Sequence, residues 1–129
     1  MSTSKTTAKT ITKGVDRKVH SLDATDKVFG RFAVEVAGLL SGKSKIEFKK
    51  HLDIGDFVEI ENIEKMKFTG TKLDTKMKYH HSGYPGGLKE ETLGTAFEKN
   101  PGKTFKDAVR GMLPKNRLAN NWLKRLKIK

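Results

Sequence analysis

The stretch VHSLDATDKVFGRFAVEVAGLLSGK, Val19 to Lys43, decides the fold. It reads as a short strand, a turn and a helix. From Phe29 onward the apolar residues Phe29, Phe32, Ala33, Val36, Leu39 and Leu40 fall at i, i+3, i+4, i+7, i+10 and i+11, one stripe at helical period. Arg31 and Glu35 lie outside the stripe as an i, i+4 pair. Asp26 is the expected N-cap and Gly42 the expected stop.

Downstream, GDFVEIENI (Gly55 to Ile63) is β-rich and bounded by turn residues, and KMKFTG (Lys65 to Gly70) is a second short run. Strand, helix and strand in that order predict a βαβ unit with parallel pairing. TFKDAVRGML (Thr104 to Leu113) begins with a threonine suited to capping, carries Phe105, Ala108, Val109 and Met112 at helical spacing, and must end at Pro114. The last segment, KNRLANNWLKRLKIK, sets an apolar stripe of Leu118, Trp122, Leu123 and Leu126 among cations. From Arg110 to the end there is no acidic residue. The expected organisation is a basic N-terminal extension over residues 1–18, then a single domain over 19–129 with a basic C-terminal helical segment.

The extension, MSTSKTTAKTITKGVDRK, has too few apolar residues to offset the entropy of ordering. A transit peptide is the competing reading, but such peptides favour arginine over the lysine and threonine found here. Over all 129 residues the chain has 27 lysines and arginines against 15 aspartates and glutamates, a formal charge of +12. That surplus repels itself unless a polyanion neutralises it, so nucleic acid is the expected partner and a membrane surface is not. There is no cysteine, which excludes disulfide frameworks, thiolate zinc sites and thiol nucleophiles. No apolar run approaches the roughly 18 residues that span a bilayer, and a soluble intracellular protein is expected.

Two motifs suggest chemistry and lose it on inspection. SGKSK (Ser41 to Lys45) contains the GKS of a phosphate-binding loop, but Ala37 stands where that loop needs glycine, and the triplet follows a helix where it should precede one. KYHHSGYPGGLK (Lys78 to Lys89) has adjacent histidines, which point to opposite faces of an extended segment and cannot easily share a metal. A hydrolase built on His51, His80 and His81 would need further converging ligands. No metal, cofactor, small-molecule substrate or catalytic residue is expected. The glycines instead allow close backbone approach, Pro85 stiffens the turn, and Tyr79, Tyr84 and the imidazoles offer planar faces to RNA. An ordinary glycine-rich surface loop is the alternative.

The runs at 22–43, 51–72, 78–89 and 108–128, with HSGYPGG and GMLPKN the most distinctive, resemble the bacterial-type large-subunit ribosomal protein of family thirteen. The resemblance implies a three-layer α/β/α fold around a small, mainly parallel sheet of about four strands. It implies a structural, non-enzymatic constituent of the large ribosomal subunit that binds its RNA beside other ribosomal proteins and supports early assembly, in cytoplasmic or organellar ribosomes. Three departures stand out: Ala119 and Asn120 replace a common glycine and arginine, Val19 and His20 occupy the region of a frequent tryptophan, and relatives commonly continue beyond the position of Lys129. A free-standing nucleic-acid-binding regulator is the alternative, although no helix-turn-helix, RNP aromatic pair or zinc finger is recognisable. The candidate RNA contacts are Lys43, Lys45, Lys49, Lys50, Lys72, Lys76, Lys78, His80, His81, Tyr84, Lys115, Asn116, Arg117, Lys124 and Arg125.

Overall fold

A computed structural model describes residues 16–129. The extension expected over 1–18 therefore lies outside the described residues as far as Val15. Its last residues are fastened to the domain: the Arg17 guanidinium donates to the Gly55 and Asp53 carbonyls, each at 3.0 Å, and the Lys18 N–H donates to Asp56.

Strand β1 (Val19–Asp23), helix α1 (Phe29–Ser41) and strand β2 (Phe57–Glu61) form the expected βαβ unit, with β1 and β2 parallel from Val19 opposite Phe57 to Asp23 opposite Glu61. Helix α1 buries Phe32, Ala33, Val36 and Leu40, the predicted stripe. Gly42 closes it at φ 76, where glycine carries no Cβ penalty. Its start differs from expectation. Val28 is the N-cap and Asp26 sits in the preceding turn at φ 60; the Phe29 N–H finds the Lys67 carbonyl at 3.0 Å, so backbone does the work a side-chain cap would do. Glu35 reaches Lys27 at 3.8 Å instead of Arg31.

The KMKFTG run supplies only a single parallel bridge, Val28 with Lys67, after a 3-10 turn at Ile63–Lys65. Helix α2 (Lys72–Thr75) then leads to an antiparallel hairpin of β3 (Met77–His81) and β4 (Leu88–Thr92). Helix α3 (Leu93–Lys99) follows, capped by the Thr92 hydroxyl. Helix α4 (Pro101–Met112) starts earlier than expected: Asn100 caps it by accepting the Lys103 N–H at 2.9 Å, and Pro101 opens the first turn. Thr104 is buried and its hydroxyl donates to the Ala96 carbonyl, tying α4 to α3. Leu113 leaves helical geometry before Pro114 and is buried, whereas Met112 is 42% exposed.

The C-terminal segment is a helix α5 (Leu118–Lys124) followed by a strand β5 (Leu126–Ile128), which pairs parallel with β2 to give the order β1-β2-β5. Val58, Ile60 and Leu126 face the helices and are buried with Phe32, Phe105, Val109 and Trp122. The opposite sheet face holds Val19, Ser21, Glu59 and Lys127, and Val19 there is 41% exposed. The α/β class and the parallel sheet are as expected; the described residues provide three parallel strands and the separate two-stranded hairpin. Phe29 joins the pieces, stacking on Phe68 with centroids 4.8 Å apart and meeting Phe97 and Phe105 edge-on. Each such pair adds about 0.5–1.5 kcal/mol beyond burial.

Candidate nucleic-acid interface

Three neighbouring cavities lie against α4 and the turn that ends it. The first, about 820 Å³, lies between the first turn of α1, α2 and α4, and its wall includes Arg31, Lys72 and Lys76. The second, about 720 Å³, lies between the hairpin and the α3–α4 region, with Lys78, His80, Lys89 and Lys103 on its wall. The third, about 750 Å³, lies between α1, the loop after it and the MLP turn, with Lys43, Lys50 and Asn116 around an apolar floor that includes Val34, Phe48 and Met112. Asp107 lines the first two and Met112 the first and third, so the grooves form one track. Met112 continues the α4 stripe by its spacing, yet it is exposed and lines the first and third grooves.

Charge along the track is unevenly compensated. Lys43, Lys50, Lys72 and Lys76 on the groove walls, and Lys49, Lys115, Arg117 and Lys124 elsewhere on the surface, are exposed, and none of them meets a carboxylate among the described residues. Lys78 is different: its ammonium lies 2.7 Å from Asp107. Asn116 uses its side-chain oxygen to accept the Ala119 N–H at the start of α5, leaving its amide hydrogens free. Arg31, Lys89 and Lys103 were not among the sequence candidates. Arg31 was read only as half of an ion pair, and Lys103 precedes the helix start that the sequence suggested.

Two candidates turn inward. Arg125 is 8% exposed, and its guanidinium forks onto the Asp53 carboxylate, Nη1 at 2.8 Å from Oδ2 and Nη2 on Oδ1. Trp122 Nε1 donates to the same carboxylate at 2.9 Å, and Arg17 lies 3.4 Å away. Burial pushes the Asp53 carboxyl up, but the Arg125 hydrogen bonds and charge, the Arg17 charge and the Trp122 bond outweigh it and lower its pKa to about 2. Lys45 folds back onto Asp56 at 2.6 Å and the Ile54 carbonyl at 2.8 Å, so it does not reach out from the end of α1. Burial raises the Asp56 carboxyl, while Lys45, the Lys18 N–H and His20 more than reverse it, so its pKa lies below the ordinary range. Both arginine and lysine were read as surface cations because their partners are distant or facing inward. They hold the domain together.

The hairpin separates the two adjacent histidines. Lys78 opposite Glu91 and His80 opposite Lys89 share one face, toward the second groove, whereas Tyr79 opposite Glu90 and His81 opposite Leu88 share the other; Tyr79 and Glu90 also line that groove. At the tip, Gly83 and Gly86 have φ of 87° and 70° with open space where a Cβ would stand, and Tyr84 is 76% exposed. Among the described residues no three His, Asp or Glu side chains are placed to hold a metal ion, and no helix is long and apolar enough to cross a membrane.

A small α/β domain that sets uncompensated cations along linked grooves is built as a polyanion-binding protein. The family profile described as Ribosomal protein L13 matches residues 17–128. The large ribosomal subunit protein uL13 of Kocuria rhizophila is 52% identical over 114 residues, covering 88% of this chain and 78% of that protein. The corresponding protein of Geobacter sulfurreducens is 47% identical over 124 residues, covering 96% and 87%. The chain belongs to the ribosomal protein L13 family.

Proposed function

We propose that the chain is a structural, non-catalytic constituent of the large ribosomal subunit. Its single domain over 19–129 binds large-subunit ribosomal RNA along the α4 track, beside neighbouring ribosomal proteins, and supports early subunit assembly. The observation that carries this reading is the set of eight exposed, uncompensated cations, four of them on the groove walls, which family membership connects to a ribosomal role. Their ammonium and guanidinium groups displace condensed counterions from phosphates, so affinity falls steeply with salt, with a log–log slope of about 0.9 per phosphate on a B-form duplex and about 0.7 on single strands.

Lys115 and Arg117 test it most directly, because the turn after Pro114 projects both from a buried Leu113 anchor. Replacing both with glutamate is expected to cut binding to a large-subunit RNA fragment by about tenfold or more and to flatten the salt slope by about 2. In cells the variant is expected to be under-represented in large-subunit fractions on sedimentation. Unchanged occupancy in purified subunits would remove these two residues from the interface.

A further inference from the structure

The outer face of the hairpin adjoins the track, since Tyr79 and Glu90 also line the second groove, but its composition differs. It carries no lysine or arginine: Met77, Tyr79, His81, Leu88 and Thr92 share it with one carboxylate, Glu90. Tyr79 is 61% and Leu88 59% exposed, and Tyr84 stands at the tip. On the inner face Lys78 is held by Asp107 and Glu91 by Lys99. A polyanion backbone gains little on such a surface. Planar, uncharged groups gain more.

We propose that this outer face is a stacking platform for unpaired nucleotide bases, a second mode of contact that rests on the RNA-binding reading above. Tyr79 lines the second groove with Lys89 and Lys103, so a strand can leave its phosphates with those lysines and turn its bases onto Tyr79 and the exposed Tyr84 at the tip. Glu90 keeps phosphates off the platform itself. The imidazole of His81 is oriented for the same task. Its Nδ1 accepts the Gly83 N–H at 2.9 Å, which leaves Nε2 to carry the ring proton as a donor. That donor can meet a base carbonyl or a ring nitrogen. A base paired in an A-form helix is stacked between neighbours and has no free face to offer, which makes the platform selective for unpaired segments.

The test uses the full chain with two probes of equal length, a short single-stranded RNA carrying 2-aminopurine and an A-form duplex, titrated over a range of salt. With Tyr79→Ala and Tyr84→Ala together, affinity for the single strand is expected to fall by about tenfold or more and its fluorescence quenching to disappear, while the salt slope and duplex affinity stay unchanged. Tyr79→Phe with Tyr84→Phe should keep both affinity and quenching, since the rings remain. Lys103→Ala should show the converse pattern, a flatter salt slope with quenching retained. If the alanine variant binds the single strand as the parent does, the platform proposal fails, and the exposed face is better assigned to a protein neighbour. If the parent binds neither probe, the RNA-binding reading itself fails.

Discussion

Replacing Asp53 with alanine is expected to destabilise the domain by about 3 kcal/mol, the low end of the range for removing one partner of a buried ion pair, because the carboxylate is itself 24% exposed while Arg125 and Arg17 are buried. Asp53 compensates two guanidiniums at once, those of Arg125 and Arg17, and accepts the indole N–H of Trp122. Without it, two buried cations are left facing each other across an empty site, and Arg125 keeps only the Leu40 carbonyl at 3.5 Å. Asp53→Asn restores an acceptor for Trp122 but no charge, so it should fall between alanine and the parent. Denaturant unfolding with an unchanged m-value checks the order. A loss below about 1 kcal/mol in Asp53→Ala would show that the cluster is solvated and that Arg125 is free for other work.

The same carboxylate predicts a pH dependence. Its pKa is lowered from the ordinary 3.8 to about 2 by its partners. A depressed carboxylate contributes stability that is fully present above its unfolded pKa and is lost as pH falls through its folded one. Stability should therefore decline between about pH 4 and pH 2, and Asp53→Asn should show a shallower decline over that window. Asp56 is lowered too and acts in the same direction, so the informative quantity is the difference between the parent and Asp53→Asn.

How much of this was legible in the sequence follows from the range of each interaction. The stripe on α1, its stop at Gly42 and the parallel pairing of the strands on either side are local patterns, and they are present in the structure as read. The hairpin was not read because its strands are polar and its six-residue loop lacks the two-residue turn that marks a hairpin in sequence. Strand β5 is three residues long and follows a helix that shares its apolar stripe, so periodicity alone assigned both to one segment. Arg125 was placed on the surface because nothing nearby in the chain is acidic; its partner lies 72 residues away. The cations of the track were legible as residue types. Their grouping into linked grooves depended on how α4 crosses α1 and the hairpin, which no local pattern encodes.

Glycine 55 should tolerate no side chain at all. A Cβ built there would stand 1.7 Å from the Leu40 carbonyl oxygen and 2.6 Å from its carbon, both backbone atoms of the last turn of α1. Relief would require α1 and the segment leading into β2 to separate. That movement would strain the Asp56 N–H bond to the Leu39 carbonyl and the Arg17 bond to the Gly55 carbonyl. Gly55→Ala is therefore expected to cost at least the upper end of the about 1–3 kcal/mol typical of overpacking, and to lower Tm by about 10 °C or more. The identical change at Gly38 gives the contrast. That residue lies inside α1 with no atom within 4 Å of a Cβ, so alanine should raise stability by about 0.5–1 kcal/mol through helix propensity. Opposite signs for one chemical change, read by thermal unfolding of the two variants, would establish that the close approach at Gly55 and not glycine content holds α1 against β2. The functional consequence follows from position. The loop carrying Lys43, Lys49 and Lys50 runs from Gly42 to Gly55, so Gly55→Ala should also weaken RNA binding under conditions where the variant remains folded, whereas Gly38→Ala should leave that loop in place. Equal thermal stability of Gly55→Ala and the parent would refute the packing on which both expectations depend.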